Sequence, residues 1–435
     1  MFDVQIRPRD RVRSRPLALP AAAMRTATPR TFRLPLRWLS TTALALALGS
    51  EAFAQAQVDT GPPNAPDQTP AFDGQTRAPS LGEPLATRTD RVATGLEHPW
   101  GLAFLDAESA LVTERPGRLR VVDLESGELS APIEGLPDID ARGQGGLLDV
   151  SLDPAFETNR RVYFSYAEPR GDGENGTSVA RAVLSEDRRR LDSLEVIFRQ
   201  TPAWQSTKHF GSVLVWDDEG RLYVTLGERS LPAPRQLAQD TQAHLGKVVR
   251  ILDDGSIPED NPFADGEEGL PEIWSYGHRN VQGAAWQPGA NRLWTLEHGP
   301  KGGDELNLPE PGENYGWPAI TYGEDYSGAP IGDGITEQSG MEQPVYYWDP
   351  VIAPGDMTFY QGERFPDWQG SLVIASLSPG GLVRLTLDGD RVSGEQRLLE
   401  SLGRVRDVAE GPDGALWVLT DQRDGALIRI TPEQE

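Results

Sequence analysis

Six stretches of this chain repeat one pattern, and the repetition restricts the possible folds more than any other feature. They read G-L-A-F-L-D-A-E-S-A-L-V-T-E from Gly101, L-L-D-V-S-L-D-P-A-F-E-T-N-R-R-V-Y-F-S-Y from Leu147, and G-S-V-L-V-W-D-D-E-G-R-L-Y-V-T-L-G-E from Gly211. Q-G-A-A-W-Q-P-G-A-N-R-L-W-T-L-E-H follows from Gln282, then the corresponding runs from Asp356 and Arg406. Each is a short apolar strand, a turn built on Asp, Gly, Pro or Asn, and a second strand, which together sign a β-hairpin. Copies recur about every 45 to 75 residues, and shorter strands such as L-R-V-V-D-L and L-V-R-L-T-L fill the gaps, giving roughly four strands per unit. No long helical period competes. The chain has 46 glycines and 36 prolines, which suits many turns. The pattern predicts an all-β, six-bladed propeller over residues 86–435. A weak strand near Arg91 to Leu96 is expected to lie beside A-L-I-R-I-T of the last blade and close the ring.

The polar residues gain meaning from that frame. A hairpin's first strand begins, and its second strand ends, at the same end of the sheet, so the residues flanking each repeat gather on one face. Gln144, His209, Arg279 with Asn280, and Arg404 with Arg406 precede first strands. Glu114 with Arg115, Glu228, Glu297 with His298, Ser378 and Asp421 follow second strands. Loops are polar in any case, and an isolated histidine is more often a satisfied structural residue than a catalyst. Six blades converging on one axis, however, would bring arginines, an amide, a histidine and carboxylates into one central pocket.

The first 54 residues differ in kind. Nine arginines against three acids, then A-L-A-L-A-L-G, then A-F-A ending at Ala54, describe a basic region, an apolar region and a small-x-small cleavage site, hence a secretory signal peptide. The apolar run is too short to span a bilayer. Met24, followed by Arg25, Arg30, Arg33 and Arg37, would by itself open a signal peptide of ordinary length. Residues 55–85, rich in Pro, Gln, Thr and Gly without an apolar period, read as a flexible leader. A periplasmic or secreted protein without a membrane span is expected, and either a monomer or a homodimer satisfies the reading. The net charge of −25 disfavours nucleic acid and anionic membrane surfaces as partners. No cysteine is present, which excludes disulfides, thiolate catalysis and Cys-type metal sites.

His209 and Glu228 stand at the start and end of one hairpin, where adjacent strand ends would let the carboxylate orient the imidazole as a general base. Arg404 and Arg406, two apart in a strand, present both side chains on one face, and with Arg279 they suit an anionic ligand. The turn-rich, acidic stretch E-H-G-P-K-G-G-D-E-L-N-L-P-E-P-G-E-N-Y-G-W-P from Glu297 offers the oxygen donors that calcium prefers, without matching an EF-hand.

Five motifs, G-Q-G-G-L-L-D, K-H-F-G, E-I-W-S-Y-G-H-R-N-V-Q-G, E-H-G-P-K-G-G-D-E-L-N and R-V-R-D-V, together with most of residues 92 to 432, resemble the soluble quinoprotein aldose (glucose/sorbosone) dehydrogenases. These are exported six-bladed propellers that use pyrroloquinoline quinone (PQQ) and calcium. The resemblance implies oxidation of an aldose sugar at its anomeric carbon to a lactone, with hydride passing to PQQ and electrons leaving to a quinone or cytochrome. It makes His209 the base, Glu228 its partner, and places Gln144 at cofactor and substrate. Arg279, Asn280, Arg404 and Arg406 would hold PQQ, and Tyr326 would lie near its plane. The carbonyls of Gly299 and Pro300 would bind the cofactor's calcium, and Glu305, Tyr315, Asp325 and Glu342 a second one. Where that family often has a lysine against PQQ, this chain has Ser378; Lys208 stands beside the base as a substitute charge. Two other readings compete: a calcium-dependent lactonase on the same architecture, and a non-catalytic binding propeller. The paired arginines favour the redox reading over the first, and the His209–Glu228 pairing over the second.

Overall fold

In the computed structural model, residues 56–433 are described. The signal-peptide expectation and its alternative start at Met24 lie outside them. Six antiparallel sheets follow one another along the chain, at residues 99–123, 147–199, 211–276, 281–348, 354–398 and 405–432. They are blades 1 to 6 of a β-propeller, and each of the six repeated hairpins supplies the two innermost strands of one blade. Thr87–Leu96 pairs antiparallel with Gly425–Pro432, with Arg88 opposite Thr431 and Ala93 opposite Leu427, so a strand from the front of the domain completes blade 6. The ring therefore closes by hydrogen bonds, as expected from the sequence.

Each blade is too thin to bury both faces alone, so the apolar residues of neighbouring blades pack against one another. Leu111, Leu147 and Val162 fill the gap between blades 1 and 2; Tyr163, Leu214 and Val224 that between 2 and 3; Val213, Tyr223 and Ala284 that between 3 and 4. Trp294, Met357 and Phe359 join blades 4 and 5, Val373, Val405 and Leu416 blades 5 and 6, and Leu102, Val112 and Leu427 blades 1 and 6. Burying one such side chain stabilises by roughly 1.5–3 kcal/mol. Hydroxyls add stitches between blades: Ser165 Oγ donates to Ser212 O (2.7 Å) and Thr225 Oγ1 to Val281 O (3.0 Å).

All six pairings of an innermost strand with its neighbour shift register near the start of the innermost strand, for example between Val224 and Leu226 opposite Gly211–Leu214, and between Val405 and Asp407. Such bulges turn side chains that would alternate across the sheet toward the axis. At Gly211 the device requires glycine: φ is +67°, and a Cβ there would come within 2.6 Å of Leu226 Cα.

Residues 56–82 correct the sequence reading of a flexible leader. They lie packed on the outer strands of blades 4 and 5. Both Asp349 carboxylate oxygens accept backbone N–H groups, from Asn64 (2.5 Å) and Ala65 (3.0 Å). Arg77 donates to the carbonyls of Asp59, Gly61 and Asp349, and Gln75 is fully buried with its Nε2 3.0 Å from Pro344 O. The segment shows no apolar period because side chain–backbone bonds, rather than an apolar face, hold it.

Candidate active site

The bulged ends of the innermost strands deliver polar side chains to one end of the axis. His209 sits immediately before blade 3 with a left-handed backbone, φ +50°. Its Nδ1 lies 3.1 Å from Glu228 Oε1, and its backbone N–H donates to Gln144 Oε1 at 2.9 Å. Both His209 and Glu228 are buried. With Nδ1–H given to the carboxylate, Nε2 keeps its lone pair. Burial, then the charge of Arg279, pull the imidazole down to about 4 against the opposing pull of Glu228. The carboxylate by itself would raise the imidazole; burial and Arg279 reverse the net sign. Burial works to raise Glu228, but its bonds to His209 and to the Ser230 N–H, together with Arg279, hold it below the usual range. At neutral pH the dyad is therefore a neutral imidazole on a carboxylate.

The cations come from blades 4 and 6. Arg279 donates from Nη1 to His298 O (2.7 Å), its backbone N–H reaches Glu297 Oε2 (2.6 Å), and its guanidinium lies 5.2 Å from the Trp317 ring centre. Arg406 lies 4.1 Å over Trp100, with Nη1 3.1 Å from Gln282 Oε1 and Nη2 3.4 Å from Asp421 Oδ2. Arg404 is half-exposed and shares Asp421 through Nη2 at 2.7 Å. Burial works to raise the Asp421 pKa, but Arg406, Arg404 and His98 outweigh it and keep the carboxylate ionised. Burial lowers Arg406 to about 10. His298 is held neutral by burial and by the charges of Arg406 and Arg279, and His209 acts on it as well. The buried nitrogens Arg279 Nε, Arg406 Nε and His298 Nε2 have no hydrogen-bond partner. Two unpaired guanidinium donors and an unpaired imidazole acceptor are costly to bury unless a polar ligand meets them.

The remaining predicted residues fall into two groups. Asn280 and Ser378 adjoin the site: Asn280 Oδ1 accepts Gly211 N–H at 3.1 Å, and Ser378 is exposed next to Leu377, whose carbonyl accepts from Arg404 at 3.4 Å. Gly299 is buried and donates to Asp304 Oδ1 at 2.8 Å; Asp304 also accepts the N–H groups of Ile352 and Ala353. Pro300 packs against Gly323. Tyr326, two residues beyond the Lys301–Glu324 bridge that ties its loop to this turn, is 74 % exposed. Lys208 is exposed and lines a separate groove of about 390 Å³ with Arg142, Thr207 and Ser230.

Of the four residues expected at a second calcium, Glu305 and Tyr315 face one cavity and Glu342 lies near them, where burial and then its charge raise the Tyr315 hydroxyl, whereas Asp325 is engaged in its own loop. Among the described residues no group of three or more His, Asp or Glu side chains is arranged to hold a metal. Glu305 and Tyr315 line a cavity of about 10 Å³ together with Arg279, Glu297, His298 and Gly299. The Tyr315 hydroxyl is turned away to Leu308 O, and Asp325 instead accepts the Ser327 N–H and hydroxyl in a turn. Glu342 is exposed, with its N–H on Asn314 O (2.7 Å). The reason is local: Asp325 satisfies its own loop, and loop carboxylates do so readily.

Sequence reasoning missed Trp100, Trp317, Arg229, Asp304, the buried aspartates Asp149 and Asp407, and the partly buried Asp356. The arginine–tryptophan pairs had one legible signal, a tryptophan just inside a flanking motif (H-P-W-G and Y-G-W-P).

A six-bladed propeller carrying a buried His–Glu dyad and unpaired arginine donors at one end of its axis defines a class of enzyme-like β-propellers. Residues 96–429 match the Glucose / Sorbosone dehydrogenase family model, and the chain belongs to that family. It is 45% identical over 352 residues to the aldose sugar dehydrogenase YliI of Escherichia coli, covering 80% of this chain and 94% of that protein. The crystal structure of the soluble aldose sugar dehydrogenase of E. coli in its apo-form superposes with a TM-score of 0.77 at 44% identity, over 80% of this chain and all of that one. The PQQ-bound aldose sugar dehydrogenase of Streptomyces coelicolor gives 0.64 at 28% identity, over 80% and 99%. These relatives are oxidoreductases by name.

Proposed function

We propose that this protein oxidises aldose sugars at the anomeric carbon to lactones, with PQQ as hydride acceptor and calcium as its partner. One observation carries the reading: the Nε–H donors of Arg279 and Arg406 are buried without partners, and Arg279 lies close enough to the His209–Glu228 dyad for its charge to act on both members. A planar quinone bearing carboxylates fits that donor set, whereas a neutral lactone substrate has no charge to match it. Arg279, Arg404 and Arg406 would hold the carboxylates, with Asn280, Gln144, Ser378 and Tyr326 at the periphery. When bound, PQQ supplies the two-electron acceptor for the anomeric hydride, and calcium on the carbonyls of Gly299 and Pro300 supplies the Lewis acid that polarises it.

The chain's own residues do the rest. His209 Nε2 takes the proton of the anomeric hydroxyl, while the Nδ1–H bond to Glu228 fixes the tautomer and stabilises the imidazolium that forms. Gln144 pins the His209 backbone, so the base does not swing away from the sugar. Electrons would then pass to an external quinone or cytochrome. The signal-like sequence of residues 1–54 supports export to the periplasm or medium, and Gln55 as the first residue of the secreted protein checks it.

The test is reconstitution of purified apo-protein with PQQ and calcium, followed by aldoses. Bleaching of the oxidised cofactor and turnover with an artificial acceptor are expected. Absence of both across several aldoses would sink the dehydrogenase reading.

A further inference from the structure

We propose that Arg229 is a positioning residue for His209, gripping the base from behind. The proposal rests on the reading of His209 as the base. Arg229 follows Glu228 directly, and the two grip the same residue at opposite ends: Glu228 meets the imidazole, and Arg229 meets the main chain. Its Nη1 lies 3.4 Å from His209 O and its Nη2 2.7 Å from Ser206 O, while its guanidinium carbon lies 3.7 Å from the centre of the Phe210 ring. Ser206 Oγ returns a bond to Arg229 O at 2.6 Å. One fully buried side chain thus contacts the segment on both sides of His209 and at His209 itself.

This clamp answers a local difficulty. His209 has φ +50°, which an L-residue adopts only when its surroundings over-determine it. Gly227 leaves room for the arrangement, since a Cβ there would sit 2.2 Å from His209 O. The clamp is itself anchored: Arg229 Nη2 also bonds Asn175 Oδ1, Asn175 Nδ2 donates to Asp140 Oδ2 at 2.8 Å, and Arg142 Nε donates to Asp140 Oδ1 at 2.8 Å. The groups facing the imidazole are Glu228, Arg279, Arg229 and His298, and the Arg229 charge acts with burial and Arg279 against protonation.

The test uses the full protein with Arg229→Lys, Arg229→Met and Asn175→Ala. In folded, PQQ-loaded Arg229→Met, kcat should fall about 10- to 100-fold, as expected for a misplaced catalytic group, while KM moves little. The His209 imidazole pKa, read by NMR in apo-protein without any turnover, should rise in Arg229→Met and stay near its native value in Arg229→Lys. Asn175→Ala keeps the charge but frees the guanidinium, so kcat should fall with the pKa unmoved. An unchanged kcat and imidazole pKa in Arg229→Met overturn the proposal. If neither Arg229 variant folds, native kcat in Asn175→Ala overturns it. Failure of the base reading looks different: His209→Gln would then turn over normally.

Discussion

His209 takes its role from its surroundings: a carboxylate fixes which nitrogen is free, and burial keeps that nitrogen unprotonated. His209→Gln should leave the melting temperature and PQQ binding close to native, because a strand-lip side chain contributes little to the core. The turnover number should drop by roughly 10² to 10⁴, the contribution of positioned proton transfer; stopped-flow bleaching of bound cofactor measures it. Glu228→Gln removes the group that raises the imidazole pKa, so the acidic limb of the pH–rate profile should move to lower pH, with a smaller loss of rate. In apo-protein the imidazole should titrate near 4 by NMR, and an anion bound on Arg279 should offset that cation and move the titration up. At this scale the sequence was informative on which polar residues flank the innermost strands, as for His209, Glu228, Arg279 and Arg406. It was silent on Arg229, since an arginine beside a serine in a turn looks the same whether it faces water or lies under a histidine.

The elements were legible because each hairpin alternates apolar and polar residues and turns on Asp, Gly, Pro or Asn. The bulges that aim the site were not, because a register shift leaves no compositional mark beyond an occasional glycine such as Gly211. Nor was the packing of residues 56–82, which depends on partners some 270 to 290 residues away, such as Asp349 for Asn64 and Ala65. That segment braces the calcium-proposed turn: Asp349 holds it, Gly303 N–H donates to Trp348 O (3.0 Å), and Gly302 lies where a Cβ would touch Ala65. Arg77→Ala breaks three bonds from a charged donor, and a loss on the order of 1–3 kcal/mol is expected in denaturant unfolding. The same variant should release PQQ and calcium more readily on dilution, measured by equilibrium dialysis. Native retention of both would separate the segment from the site.

In the whole molecule, the axis is lined by carboxylates that also join blades. Asp149 Oδ2 accepts Leu214 N–H from the next blade (2.7 Å), and Asp356 Oδ1 accepts Ala284 N–H from the preceding one (3.0 Å). Burial raises the pKa of Asp149, Asp356 and Asp407, and their mutual repulsion adds to it for Asp356 and Asp407. A folded-state pKa above the unfolded value gives stability that is fully present below the ordinary carboxylate range and is lost as pH rises through the folded value. Tm should therefore decline from mildly acidic to alkaline pH, and Asp407→Asn should flatten that decline in a calorimetric pH series. His209 and His298, both depressed, act oppositely and remove stability as pH falls below the ordinary histidine range. Blade 6 has a further consequence, for the order in which the protein is made. Its outermost strand is the first of the blade strands to be synthesised, and its neighbour, Gly425–Pro432, is the last. Vectorial synthesis or translocation must finish before the circle can lock. Because Arg404, Arg406 and Asp421 belong to that same final blade, a ribosome that stalls early releases a chain in which the cationic half of the centre is incomplete.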